Sequence, residues 1–170
     1  MIEVTKLDMA VEQLEDSLKA YFSGRFFSAI VLAGAAETLF AGYVLKQKME
    51  PAWSQSRRTI KKIANGLHYR QTGEPGKATE KDIGDLLNHA YNNSKHAGVK
   101  DHVVRMIPKF EARELLERVI SNYDLLLDCG AYDLPDIPLF HAFLQEPIDE
   151  IRLEVDATEI LTPVSPNVEA

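Results

Sequence analysis

One cysteine, Cys129, stands in 170 residues, so neither a disulfide within the chain nor a cysteine-based zinc site can form. Cys129 reads as a packed or partly exposed small residue and not as a nucleophile. Basic side chains are outnumbered, 19 against 26 acidic ones, for a formal charge of -7. That deficit excludes the broad cationic footprint with which proteins grip duplex DNA through many phosphates. A local basic patch is still permitted, because net charge describes an average field. Long apolar runs are lacking too: the longest, residues 26–36, is broken by Ser28 and closed by Glu37. It falls short of the roughly 20 residues that span a bilayer. The opening Met1-Ile2-Glu3-Val4-Thr5-Lys6 has no basic region leading into an apolar core, so no signal peptide, no membrane partner and a soluble, cytoplasmic protein are expected. Nucleotide motifs are missing as well. Gly76-Lys77 is followed by Ala78, has no glycine five positions before Gly76, and follows no strand. Neither a Gly-x-Ser-x-Gly elbow nor a dinucleotide fingerprint occurs.

What is present is helical periodicity, in a chain 45% hydrophobic and 26% charged, enough for a real core. Residues 6–22 place Leu7, Val11, Leu14, Leu18 and Tyr21 on one stripe. Residues 26–48 form the most buried candidate, with Gly34 and Gly42 small enough to admit a neighbouring helix closely. Glu37 is the lone charge there and calls for a cationic partner. Residues 53–70 make a basic helix whose Ile60, Ile63, Ala64 and Leu67 are expected to face inward. Its cations read as a solvated face, or more sharply as an RNA phosphate contact. Thr79-Glu80-Lys81-Asp82 resembles a capping box and starts a helix running towards Gly98. Its expected core face is Ile83, Leu86, Leu87, Ala90, Ser94 and Ala97. Residues 110–128 form a further amphipathic helix, with Leu115, Leu116, Val119, Ile120, Tyr123 and Leu126-Leu127 inward. Five of the eight prolines follow Gly130, and there residues 139–146 suggest a short helix and 151–155 an extended segment. The expected organisation is an all-α helical bundle over 1–130 and a Pro-rich, partly extended C-terminal extension over 131–170.

The richest chemistry lies late in the helix that begins at Thr79. Asn88, His89, Asn92, Lys95 and His96 gather opposite the apolar positions, a stripe of amide, imidazole and ammonium unlike the Glu/Lys/Arg mixture of most exposed helix faces. A histidine there can move a proton near neutral pH, a lysine can stabilise negative charge and an asparagine can orient the attacked group. That trio suffices in principle for metal-independent attack of an RNA 2′-hydroxyl on its adjacent phosphate. The plainer reading is that these residues cap and solvate a helix end, where cations complement the macrodipole. His89 and His96 are seven apart, and no two histidines stand four apart, so no metal and no cofactor is expected. His68, His102 and His141 read as surface or packing residues.

The element order over about residues 8–128 resembles the HEPN superfamily of small α-helical domains. The likeness rests on Leu14-Glu15-Asp16-Ser17-Leu18 leading to Gly24, then the Ala-rich stretch from Phe27 to Glu37, then Tyr91-Asn92-Asn93-Ser94-Lys95-His96. The family's signature is an arginine, usually a polar residue next, and a histidine after four to six intervening residues. Here Asn92 and His96 match, while Tyr91 occupies the arginine's place and no histidine has an arginine at that distance upstream. The resemblance implies an RNA-associated domain of a defence or stress system, such as a toxin–antitoxin pair, with a degenerate ribonuclease-like site. It implies His96 as general acid/base, Lys95 as electrostatic stabiliser and Asn92 as orienting group, with Tyr91, Asn88, His89 and Glu37 around them. It further implies a homodimer through the motif helices. The rival is a non-enzymatic, dimeric protein-interaction module in which His96 is structural. A third reading is a small-molecule sensor with a pocket beside Gly34 and Gly42.

Overall fold

The first helix, α1 (Lys6–Phe22), begins where Thr5 and Asp8 cap each other: the Thr5 hydroxyl accepts from the Asp8 amide, and the Asp8 carboxylate accepts from the Thr5 amide. Ala10, Leu14 and Leu18 form its fully buried stripe. Gly24, at φ +71°, then reverses the chain in a left-handed conformation that carries no steric cost for glycine. This is a computed structural model, and it describes residues 2–95, 104 and 106–147. Among the described residues the structure is all helical, with seven helices and no strand.

The central helix is α2 (Phe26–Lys46), packed mainly along α1 and α6 (Pro108–Asp128). Ile30, Ala33, Phe40 and Val44 face the core and meet Leu115, Leu116, Val119 and Leu126 of α6 in one hydrophobic cluster. The apolar character resumes after Glu37, so the helix is longer than the run over 26–36 implies. At 21 residues and a mean hydropathy of 1.6 it is long and apolar enough to cross a membrane, which corrects the expectation drawn from that run. Of the hydrophobic window, 44% is buried inside the bundle. That burial is compatible with the core helix of a soluble protein.

The helix α3 (Ala52–Thr72) departs from the bundle. Its first amide, on Ala52, donates to the buried Asn122 of α6 at 2.8 Å, which supplies the cap that Pro51 cannot. Beyond that anchor α3 packs chiefly on the short α4 (Glu80–Leu87). Ile63 and Leu67, expected inward, are 56% and 50% exposed. Periodicity marks an apolar face; it does not supply the element that covers it. The return loop is fixed by Asn65, whose side chain accepts from the Ala78 amide at 2.9 Å and donates to its carbonyl at 3.2 Å. The Thr79–Asp82 capping box starts α4 as the sequence predicts.

The single helix expected from Thr79 to Gly98 is two, α4 and α5 (His89–Lys95), divided at Asn88. Because α4 serves α3 and α5 serves α2, one apolar stripe cannot satisfy both. Ile83 and Ala90 are buried, but Leu86 is 65% exposed. Leu127, also expected inward, is exposed, while its neighbour Leu126 is fully buried. The last element, α7 (Pro138–Gln145), inserts Phe143 beside Tyr21, with ring centroids 5.3 Å apart. Leu134 and Ile137 join the same core, and the Tyr123 hydroxyl donates to the Pro135 carbonyl. The extended segment expected at 151–155, together with His96, Ala97, Gly98 and His102, lies outside the described residues.

Candidate functional site at the break between α4 and α5

Ending α4 at Leu87 frees backbone carbonyls that a continuous helix would have used. Arg118, on the inward side of α6, takes this role. One terminal nitrogen donates to the Leu87 carbonyl and the other to Asn88 Oδ1, both at 3.2 Å. The same guanidinium grips Glu37 in a fork, Nε to Oε1 at 2.7 Å and Nη2 to Oε2 at 3.2 Å. Both side chains are about nine-tenths buried, and the guanidinium carbon lies 5.1 Å from the Trp53 ring centre. One side chain thus ties together α2, α3, the helix break and α6. Such planar, two-pronged recognition is a property of arginine that lysine cannot supply.

Glu37 therefore has the cationic partner its apolar surroundings required. Asn88 is half-buried, held by Arg118 through its side chain, while its carbonyl accepts from Asn92 at 2.8 Å to begin α5. Tyr91 packs against α2 at Gly34: a Cβ added at Gly34 would fall 2.3–2.6 Å from three atoms of its ring. The close approach expected at Gly34 is thus made, with Tyr91 filling the space a pocket would need. At Gly42 no described atom comes within 4 Å of such a Cβ. Lys95 sits over the same ring, its ammonium 3.7 Å from the Tyr91 ring centre.

His89, Asn92 and Lys95 are exposed. Asn93 steadies the first of them, donating to the His89 carbonyl at 2.8 Å with its amide nitrogen 3.2 Å from Nδ1 of the ring. Nearby on α6, burial pushes the Glu111 carboxyl above its ordinary pKa, with His89 and Arg118 pulling the other way. Of the expected catalytic trio, Asn92 and Lys95 stand on the exposed side of α5, and His96 lies outside the described residues.

The residue that sequence reasoning missed is Arg118. Its signal was available: it lies three positions after Leu115 and four before Asn122, inside the buried stripe of α6. A cation at such a position needs a buried anion, and Glu37 is the lone anion of α2. The cationic face of α3 is also less free than its sequence suggests. Arg57 and Lys61 pair with Glu80 at 3.0 and 3.8 Å, and Arg58 with Glu50 at 2.8 Å. Among the described residues no group of three or more His, Cys, Asp or Glu side chains could hold a metal ion. Comparisons with family models, with curated proteins and with solved structures return no match.

Proposed function

We propose that the chain is a non-enzymatic, HEPN-like interaction module that pairs with a second copy through the outer face of α2. The supporting observation is the composition of that face. Phe27, Val31, Ala35, Thr38, Gly42 and Leu45 succeed one another along the side of α2 turned from the core, and Phe27, Val31 and Leu45 are 59%, 38% and 61% exposed. No charge interrupts them: Glu37 is turned inward to Arg118 and Lys46 stands in the last turn. Exposed helix faces normally carry charge, and an uncharged one is a recognition surface. The order is large residues at both ends and small ones between, so it reads alike from either direction. An antiparallel second copy then sets Phe27 against Leu45 and brings the small central residues together, as two-fold symmetry requires. Light scattering on the eluting protein tests this: a dimer is expected for the wild type and a monomer for Thr38→Arg. A monomeric wild type refutes it.

The second reading keeps the RNA-associated, metal-independent ribonuclease, supported by the exposed trio His89, Asn92 and Lys95. Against it stands the commitment of Arg118 to Glu37, Leu87 and Asn88, which among the described residues leaves Lys95 as the cation of that side of α5. Incubation with mixed RNA in EDTA separates the readings. Cleavage by the wild type that His96→Ala abolishes would replace the first reading with the second.

A further inference from the structure

The outer face of α3 combines apolar and cationic groups in a way that its own bundle does not use. Ile60, Ile63, Leu67 and Arg70 follow one another at spacings of three, four and three, along one side of the helix. Ile63 and Leu67 are more than half or half exposed. Lys62, Arg70 and Lys77 are exposed and make no ion pair among the described residues, unlike Arg57, Arg58 and Lys61. Residues 52–79 hold six cations and a single carboxylate, Glu74.

The chain beyond Pro147 has the opposite composition. Residues 148–170 hold six carboxylates and a single cation, Arg152, with Ile151, Leu153, Ile160 and Leu161 among them. A polyphosphate ligand would engage the cations of α3 and leave Ile63 and Leu67 in water. An acidic peptide with apolar side chains satisfies both features, and this chain carries one.

The distances allow it. Glu146, at the end of α7, is held by Lys109 at 2.9 Å and Arg113 at 3.4 Å. Along α6, Arg113 to Arg118 spans ~8 Å, and along α3, Trp53 to Leu67 spans ~21 Å. The thirteen residue-to-residue steps from Pro147 to Ile160 reach up to ~45 Å when extended.

We propose that residues 149–161 dock on the outer face of α3 within the same chain, Ile160 and Leu161 against Ile63 and Leu67, with Asp156 and Glu159 beside Lys62 and Arg70. The docked segment withdraws this face from any other anionic partner. The attraction between the charges weakens with salt, and the apolar contacts do not.

Paramagnetic relaxation in the full chain tests the proposal. A spin label is attached at Ser165→Cys, in a Cys129→Ser background because Cys129 is exposed. The expected result is loss of amide signal over residues 62–70 of α3. In the same label, Ile63→Asp with Leu67→Asp restores the signal; both sites are exposed, so the fold is retained, as circular dichroism will verify. Lys62→Glu with Arg70→Glu also restores it, and adding Asp156→Lys and Glu159→Lys brings the loss back. A mixture of labelled and isotopically enriched chains distinguishes the source. Loss that appears equally in the mixture overturns docking within one chain in favour of exchange between copies. Unchanged α3 signals overturn the proposal altogether.

Discussion

Removing Arg118 is the most informative perturbation of this fold. Arg118→Leu keeps much of the side-chain volume but strands the Glu37 carboxylate, which is 10% exposed and has lost both donors of its fork. Breaking a buried ion pair from one side costs about 3–5 kcal/mol, because an uncompensated charge remains in a poorly solvated site. The Leu87 carbonyl and Asn88 Oδ1 lose their donor as well, adding about 1 kcal/mol or more for each acceptor that water cannot reach. Domains of this size have about 5–15 kcal/mol in total, so the variant will be close to unfolding. For a chain of this length each kcal/mol moves the midpoint by about 2–4 °C, giving a fall of about 10 °C or more. The double variant Glu37→Leu, Arg118→Leu removes the stranded charge and should recover most of the loss, since apolar replacement of a buried pair is commonly neutral or better. Urea unfolding of wild type, both single variants and the double closes a thermodynamic cycle whose coupling should exceed about 2 kcal/mol. A loss below about 1 kcal/mol in Arg118→Leu would refute the argument, for it would mean that Glu37 is solvated or finds another donor.

Three further outcomes follow from the geometry. Gly34→Ala forces the Tyr91 ring off α2, and overpacking of about 1–3 kcal/mol outweighs the roughly 1 kcal/mol that alanine returns in helix propensity. Gly42→Ala meets no described atom, so in urea it should stabilise the monomer by up to about 1 kcal/mol; equal effects at the two sites would contradict the packing described. Glu146 is partly desolvated, which raises its pKa, but Lys109 and Arg113 outweigh this and hold it below the ordinary value of 4.5. A depressed carboxylate contributes stability above its unfolded pKa and loses it as pH falls through the folded value. Unfolding midpoints should therefore drop on acidification below about pH 4.5, and less so in Glu146→Gln. Glu111 is the reverse case: burial raises its pKa, so its contribution favours folding below the ordinary value and is lost as pH rises through the raised one. Glu111→Gln should accordingly stabilise the protein at neutral pH and have little effect in acid, and an equal effect at both pH values would refute the assignment.

The candidate site was legible in part. The stripe from Asn88 to Lys95 stands out by residue type, and Glu37 announces its need for a partner by being the one anion of an apolar helix. Nothing local to either says that Arg118, 81 residues after Glu37, serves both. The identity of a long-range partner depends on which helices are adjacent, and periodicity within a helix carries no such information. The break at Asn88 was hidden for the same reason. Its sequence suits one helix, and the division appears because α3 and α2 each demand one half.

Over the described residues, local pattern along the chain is enough for the all-helical class, most helix limits and the buried stripes of α1 and α6, because 3.6-residue periodicity, capping residues and glycine stops act locally. Composition alone forbids a disulfide within the chain and shows that acidic residues prevail. Tertiary structure alone decided which apolar faces are covered. Ile63, Leu67 and Leu86 look as apolar as Ile30 or Leu116 along the chain, yet no described element packs on them. It alone decided that Gly34 receives a ring while no described atom approaches Gly42. Burial and pairing are properties of neighbours brought together by the fold, and a helix in isolation has none.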